Sequence, residues 1–155
     1  MLEAALCGMQ VGRGGLVLLG GESGVGKSRL LDELRTLALV RGIRTLRGQA
    51  ISNGGTGYQL FHEALRGLAL GTDFSDHDAA ILKEVVPELP AILGRAVPDA
   101  PALLAKESQE RVRRVLLSTL TPTVEPLLLL LEDIHWAQAE SCVLLRALAA
   151  AAVSA

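Results

Sequence analysis

Residues 20–28 read GGESGVGKS, which places Gly21, Gly26, Lys27 and Ser28 in the register G-x-x-x-x-G-K-[ST]. A backbone that wraps an anion must turn several N–H groups inward, and Gly21, Gly24 and Gly26 allow the angles this needs. A helix starting near Lys27 would add its unpaired N–H groups and the positive end of its dipole. The chemistry indicated is phosphate binding, with Gly21, Glu22, Ser23, Gly24, Val25, Gly26, Lys27, Ser28 and Arg29 forming the cradle. The Lys27 ammonium would reach the β/γ-phosphates and the Ser28 hydroxyl would ligate Mg²⁺. An ordinary glycine-rich turn is the competing reading, and it leaves the complete pattern unexplained.

A second group lies a hundred residues on. The apolar run LLLLL at 127–131 ends in Glu132 and Asp133. A strand that delivers acids at its C-terminal end is the Walker B arrangement, and open α/β sheets bind ligands at that edge. One acid would hold Mg²⁺ and the other would orient the attacking water or accept its proton. The residues alone leave open which does which. Matching hydrophobic-D-[DE] patterns gives Glu132 the metal position and Asp133 the catalytic, water-orienting one, with both in reach of the metal. His135 and Trp136 follow directly. Trp136 is expected to pack the strand end against a helix, and His135 to bond backbone. Lys106, Arg111, Arg113 and Arg114 stand beside Glu107 and Glu110, which reads as a solvated helix face with i,i+4 charge pairs.

These residues need strands and helices to carry them. Leu16, Val17, Leu18 and Leu19 read as a buried strand feeding the glycine loop. Leu30, Leu31, Leu34, Leu37 and Ala38 form an apolar stripe at helical spacing after it, ending near Gly42. Residues 43–47 read as a further strand and 49–57 as a loop. Leu60, Phe61, Ala64, Leu65 and Leu68 mark an amphipathic helix, and Ser75 with Asp78 looks like a helix cap. Pro87, Pro90, Pro98 and Pro101 break the next stretch into turns or one-turn helices. A long helix is expected over 104–120 with Val112, Val115, Leu116 and Leu120 on one face, and Pro122 and Pro126 bracket a loop. The run 127–131 is apolar throughout, as a parallel strand covered on both faces requires. The fold expected is α/β: a P-loop NTPase-like parallel sheet flanked by helices.

With 155 residues, half of them hydrophobic, the chain can bury a core and is not disordered. A net charge of −2 and 3% aromatic content argue against a nucleic-acid surface built on bulk charge or base stacking. Cys7 and Cys142 lack metal-ligand spacing and read as reduced, buried thiols. The start of the chain lacks a basic leader, and no apolar run is long enough to span a bilayer, so a cytoplasmic protein is expected.

The pair GGESGVGKSRLLDEL and LLLLLEDIHWA resembles the AAA-type ATPase domain of STAND signal-transduction NTPases. That group is akin to the origin-recognition ATPase module and includes large LuxR-type regulators and cyclase- and kinase-fused ATPases. The resemblance runs over about residues 11–150 and is specific at the two motifs and at 58–68. It implies ATP and Mg²⁺ as cofactors, and a switch in which bound nucleotide governs assembly with other domains or further copies. It also implies a partial domain over residues 1–155, without the upstream adenine-holding element, the sensor strand or the lid. The sensor strand would lie between the phosphate-loop strand and the Walker B strand, leaving two edges unpaired. Slow hydrolysis by the complete protein, with this piece alone inactive, follows from that. A non-hydrolysing, ATP-gated module is the alternative, and a P-loop phosphotransferase a more distant one.

Overall fold

The computed structural model describes residues 2–52, 57–121 and 125–154. The loop expected over 49–57 and the one bracketed by Pro122 and Pro126 therefore fall partly outside the described residues.

Two strands form a parallel sheet: β1 (Arg44–Gln49) and β2 (Leu127–Glu132), in register from Arg44↔Leu127 to Gln49↔Glu132. Side chains alternate across a strand, and the packing follows that period. Leu127, Leu129 and Leu131 of β2 pack with Leu46 of β1 on one face. Leu128 and Leu130 join Ile43 on the other. Glu132, two residues beyond Leu130, continues the second row.

Helices cover both faces. The second face receives α1 (Leu2–Gln10) and α2 (Lys27–Val40), through Leu6, Leu34 and Ala38. Ala38 and Leu34 realise the expected stripe of α2, while Leu30 and Leu37 stay more than a third exposed. Gly42, at φ 72°, stops α2: its N–H donates to the Leu39 carbonyl and the Ile43 N–H reaches back to the Ala38 carbonyl at 2.9 Å. This is a Schellman end, with Ile43 and Ala38 in contact in the same apolar cluster.

The first face carries the larger core. It comprises a 3-10 turn (Gln59–Phe61), α3 (His62–Ala69), α4 (Asp76–Leu82), α5 (Leu89–Leu93), α6 (Ala105–Leu120) and α7 (Ala139–Ser154). Leu60, Phe61, Ala64, Leu65 and Leu68 are all buried, as their spacing predicts. So are Val112, Val115, Leu116 and Leu120 of α6. Ser75 caps α4, its Oγ accepting from the Asp78 N–H at 3.1 Å. Gly48 lets β1 lie against the turn: a Cβ there would stand 2.0 Å from the Leu60 carbonyl oxygen.

Several expectations are corrected. Residues 16–19 form no strand, and Leu16, Val17 and Leu18 are exposed at 48%, 39% and 67%. A strand exists through its ladder, and among the described residues the sheet holds only β1 and β2. For the same reason β2 is not buried along its length. Only Leu130 is, because one edge has no neighbour among the described residues. Cys7 is exposed and Cys142 half-buried, both as free thiols, because each lies off the apolar stripe of its helix. Arg111 is not part of a solvated face. Packing of α6 on α4 brings Glu84 to it, and it donates to the Glu84 carboxylate at 2.7 Å and the Pro101 carbonyl at 2.8 Å. Arg113 pairs with Glu110 on the same helix, at a spacing of three residues and not the four expected. His62 is half-buried between Glu63 and Glu88, whereas His77 is exposed. Among the described residues no helix is long and apolar enough to cross a membrane.

Candidate functional site

The glycine loop takes the shape its residues permit although the segment before it is not a strand. Gly24 and Gly26 sit at φ 82° and 96°, where a side chain is disfavoured. Gly26 is the residue before α2, which starts at Lys27, and no side chain caps that helix. The first N–H groups of a helix have no intrahelical acceptor, so this end remains available to an anion. The Lys27 ammonium donates to the carbonyls of Gly21 at 2.8 Å and Glu22 at 2.7 Å, bracing the loop. Ser23 and Val25 are exposed on the loop, and Arg29 points to solvent, paired with Glu33 one turn on.

The two motifs meet. Ser28, in the first turn of α2, donates its hydroxyl to Glu132 Oε2 at 2.8 Å, 104 residues away in the chain. The strand period explains why: Glu132 faces the α2 side, and α2 enters the sheet with its N-terminus over the end of β2. The Glu132 side chain is only 10% exposed. Asp133 follows at φ 54°, the one non-glycine residue in the left-handed region among the described residues. That turn takes the chain off the strand, and the two carboxylates engage different partners. Asp133 Oδ2 accepts from Gln49 Nε2 at 2.8 Å.

β1 therefore supplies a partner for each acid. Arg47 Nε donates to Glu132 Oε1 at 2.7 Å and its Nη1 donates to Asp32 Oδ1 of α2 at 3.1 Å. Sequence reading did not single out Arg47, Gln49 or Asp32. The available signal was the period of two that puts Arg47 and Gln49 on one strand face, and the four-residue step from Ser28 to Asp32 on a helix.

His135 and Trp136 depart from expectation. They lie in a 3-10 turn (Ile134–Trp136) that carries both side chains outward from the strand end. Trp136 is half-exposed and its ring leans on His135, the centroids 4.9 Å apart. No hydrogen bond engages the His135 ring among the described residues.

The donor set suits a hard cation, since Ser28 Oγ and Glu132 Oε2 are adjacent oxygens. Among the described residues no group of three or more His, Cys, Asp or Glu could hold a metal by itself. The pair thus matches an ion that completes its shell with phosphate oxygens and water, as Mg²⁺ does.

A glycine loop at a helix start, facing an acid-tipped parallel strand, defines a nucleotide-binding domain of the P-loop class. A family model described as the AAA ATPase domain matches residues 1–154, and the chain belongs to that family. Neither the curated proteins nor the solved structures yielded a match.

Proposed function

We propose that this domain binds ATP with Mg²⁺ and hydrolyses it slowly, as the nucleotide switch of a signalling or transcriptional regulator. The observation that carries the reading is the Ser28–Glu132 contact, which joins the anion cradle to the acidic strand end. The loop N–H groups and Lys27 would hold the β- and γ-phosphates, with the carbonyls of Gly21 and Glu22 keeping the ammonium in place until then. Glu22, Ser23, Val25 and Arg29 would flank the cradle. Ser28 and Glu132 would hold Mg²⁺, with Asp133 in its outer reach; the ion would neutralise charge on the transferring phosphoryl group. Asp133 would orient the attacking water and accept its proton, steered by Gln49.

A domain that binds ATP without turning it over is the second reading, favoured by the engagement of Asp133 with Gln49. In either case the output would pass to other domains of a longer chain or to further copies, in the cytoplasm.

Single-turnover hydrolysis by the complete protein and ATP titration of the chain, each with Lys27→Ala and Asp133→Ala beside it, test the proposal. Lys27→Ala should weaken ATP binding by about tenfold to a hundredfold, the worth of charged hydrogen bonds. Asp133→Ala should keep binding and lose turnover. ATP affinity unaffected by Lys27→Ala would end the reading, and undiminished turnover in Asp133→Ala would remove that residue from the mechanism.

A further inference from the structure

Glu132 has no spare oxygen. Its Oε2 accepts from Ser28, and its Oε1 accepts from two nitrogens of Arg47, Nε and Nη2. The guanidinium also reaches Asp32 through Nη1. Ser28 and Asp32 are one turn apart on α2, so the four side chains close a ring that ties helix, β1 and the tip of β2 together.

The two carboxylates in the ring differ in surroundings. Glu132 is 10% exposed and Asp32 58% exposed. An opposite charge counts for more where water is scarce, so Arg47 acts more strongly on Glu132. We propose that Arg47 is a built-in competitor of the divalent cation for Glu132, and so sets how much Mg²⁺ the site requires. The inference rests on Glu132 being the metal-side acid.

The physical sequence is short. The Ser28 hydroxyl can rotate its proton away and present a lone pair, so the opening lies between Ser28 Oγ and Glu132 Oε2. Arg47 remains on Oε1. Two positive charges then draw on one largely buried carboxylate and repel each other. Asp32 relieves this by offering the guanidinium a second acceptor already in contact. Arg47 thus does not ligate anything itself; it tunes the acid that does.

The test is ATP binding to the chain, followed by calorimetry across a Mg²⁺ series and again in EDTA. Arg47→Met should lower the half-saturating Mg²⁺ concentration by about fivefold, given one unit charge removed at close range, with affinity in EDTA unchanged. Arg47→Lys, which keeps the charge but not the fork, should fall between. Asp32→Ala, which removes the alternative acceptor and its charge, should raise the Mg²⁺ requirement and serves where Arg47→Met does not fold. Glu132→Gln should raise it too and abolish the effect of Arg47→Met in the double variant. An unchanged or raised requirement in Arg47→Met, with Glu132→Gln behaving as expected, overturns the proposal alone. Weaker binding of Arg47→Met in EDTA also overturns it, by placing Arg47 on the phosphates. A Mg²⁺ requirement that ignores Glu132→Gln overturns the metal role of Glu132 and the proposal with it.

Discussion

Residues 11–26 and the layer built on α3, α4, α6 and α7 follow opposite rules. The first segment carries the glycines of the loop motif yet buries almost nothing: Val11, Leu16, Val17, Leu18 and Val25 are all exposed. The second carries no motif and holds the main core, with Phe61, Ala64, Ile81, Val86, Leu116 and Leu144 at or near zero exposure. Loop conformation here is a local property of glycines and of the start of α2. Stability is a collective property of a packed layer. The chain keeps the two apart, so its chemistry and its folding free energy can be altered separately.

The largest expected effect lies in the packed layer. Phe61→Ala should lower the unfolding free energy by about 3–5 kcal/mol, the range for an aromatic removed from a core. Leu18→Ala should change it by less than about 0.5 kcal/mol, as exposed positions do. Urea denaturation of both variants measures this, and a comparable loss in each would erase the contrast. Next comes Gly26→Ala. A Cβ there meets nothing within 4 Å, so the penalty is backbone strain at φ 96°. Strain of about 1–3 kcal/mol can be relieved by an exposed loop that shifts. Stability should therefore fall little, while ATP affinity drops by about tenfold in titration. Loss of stability with affinity intact would reverse the assignment of roles.

The smallest effect is a pH dependence on the packed side. Lys83 donates to Asp99 at 2.7 Å, and this bond first, then its charge, holds the Asp99 carboxyl below its ordinary value of 3.8. A depressed carboxylate contributes stability above its unfolded value, and the contribution is lost as pH falls through the folded one. Asp99→Asn should thus lower Tm slightly at neutral pH, and the difference should vanish on strong acidification. A gap that widens in acid would show that Lys83 does not hold Asp99. The side chain is exposed, so the gap stays small.

What could be read from the residues divides along the same line. The α6 stripe, the α3 stripe, the Ser75 cap and the Gly42 stop were legible because each is a short-range rule of helices. The glycine loop and the acids of β2 were legible as motifs. Residues 16–19 and 127–130 are equally apolar runs, and only the second is a strand. Composition does not distinguish them; a ladder partner does, and pairing is not written in the run itself. Arg47, Gln49 and Asp32 escaped for a related reason. Each is an unremarkable polar residue until register sets β1 beside β2 and α2 above their ends.

Gly48 has one more consequence. With the Leu60 carbonyl where its Cβ would be, and a methyl of Leu131 at 2.9 Å, β1 rests on the turn beneath it without clearance. Even alanine would have to lift the strand, and the residues on either side of it, Arg47 and Gln49, would rise together. Both acids would then lose the donors that β1 supplies at once, through a change that touches neither. The height of a backbone, set by a missing side chain, governs two contacts on the far side of the sheet.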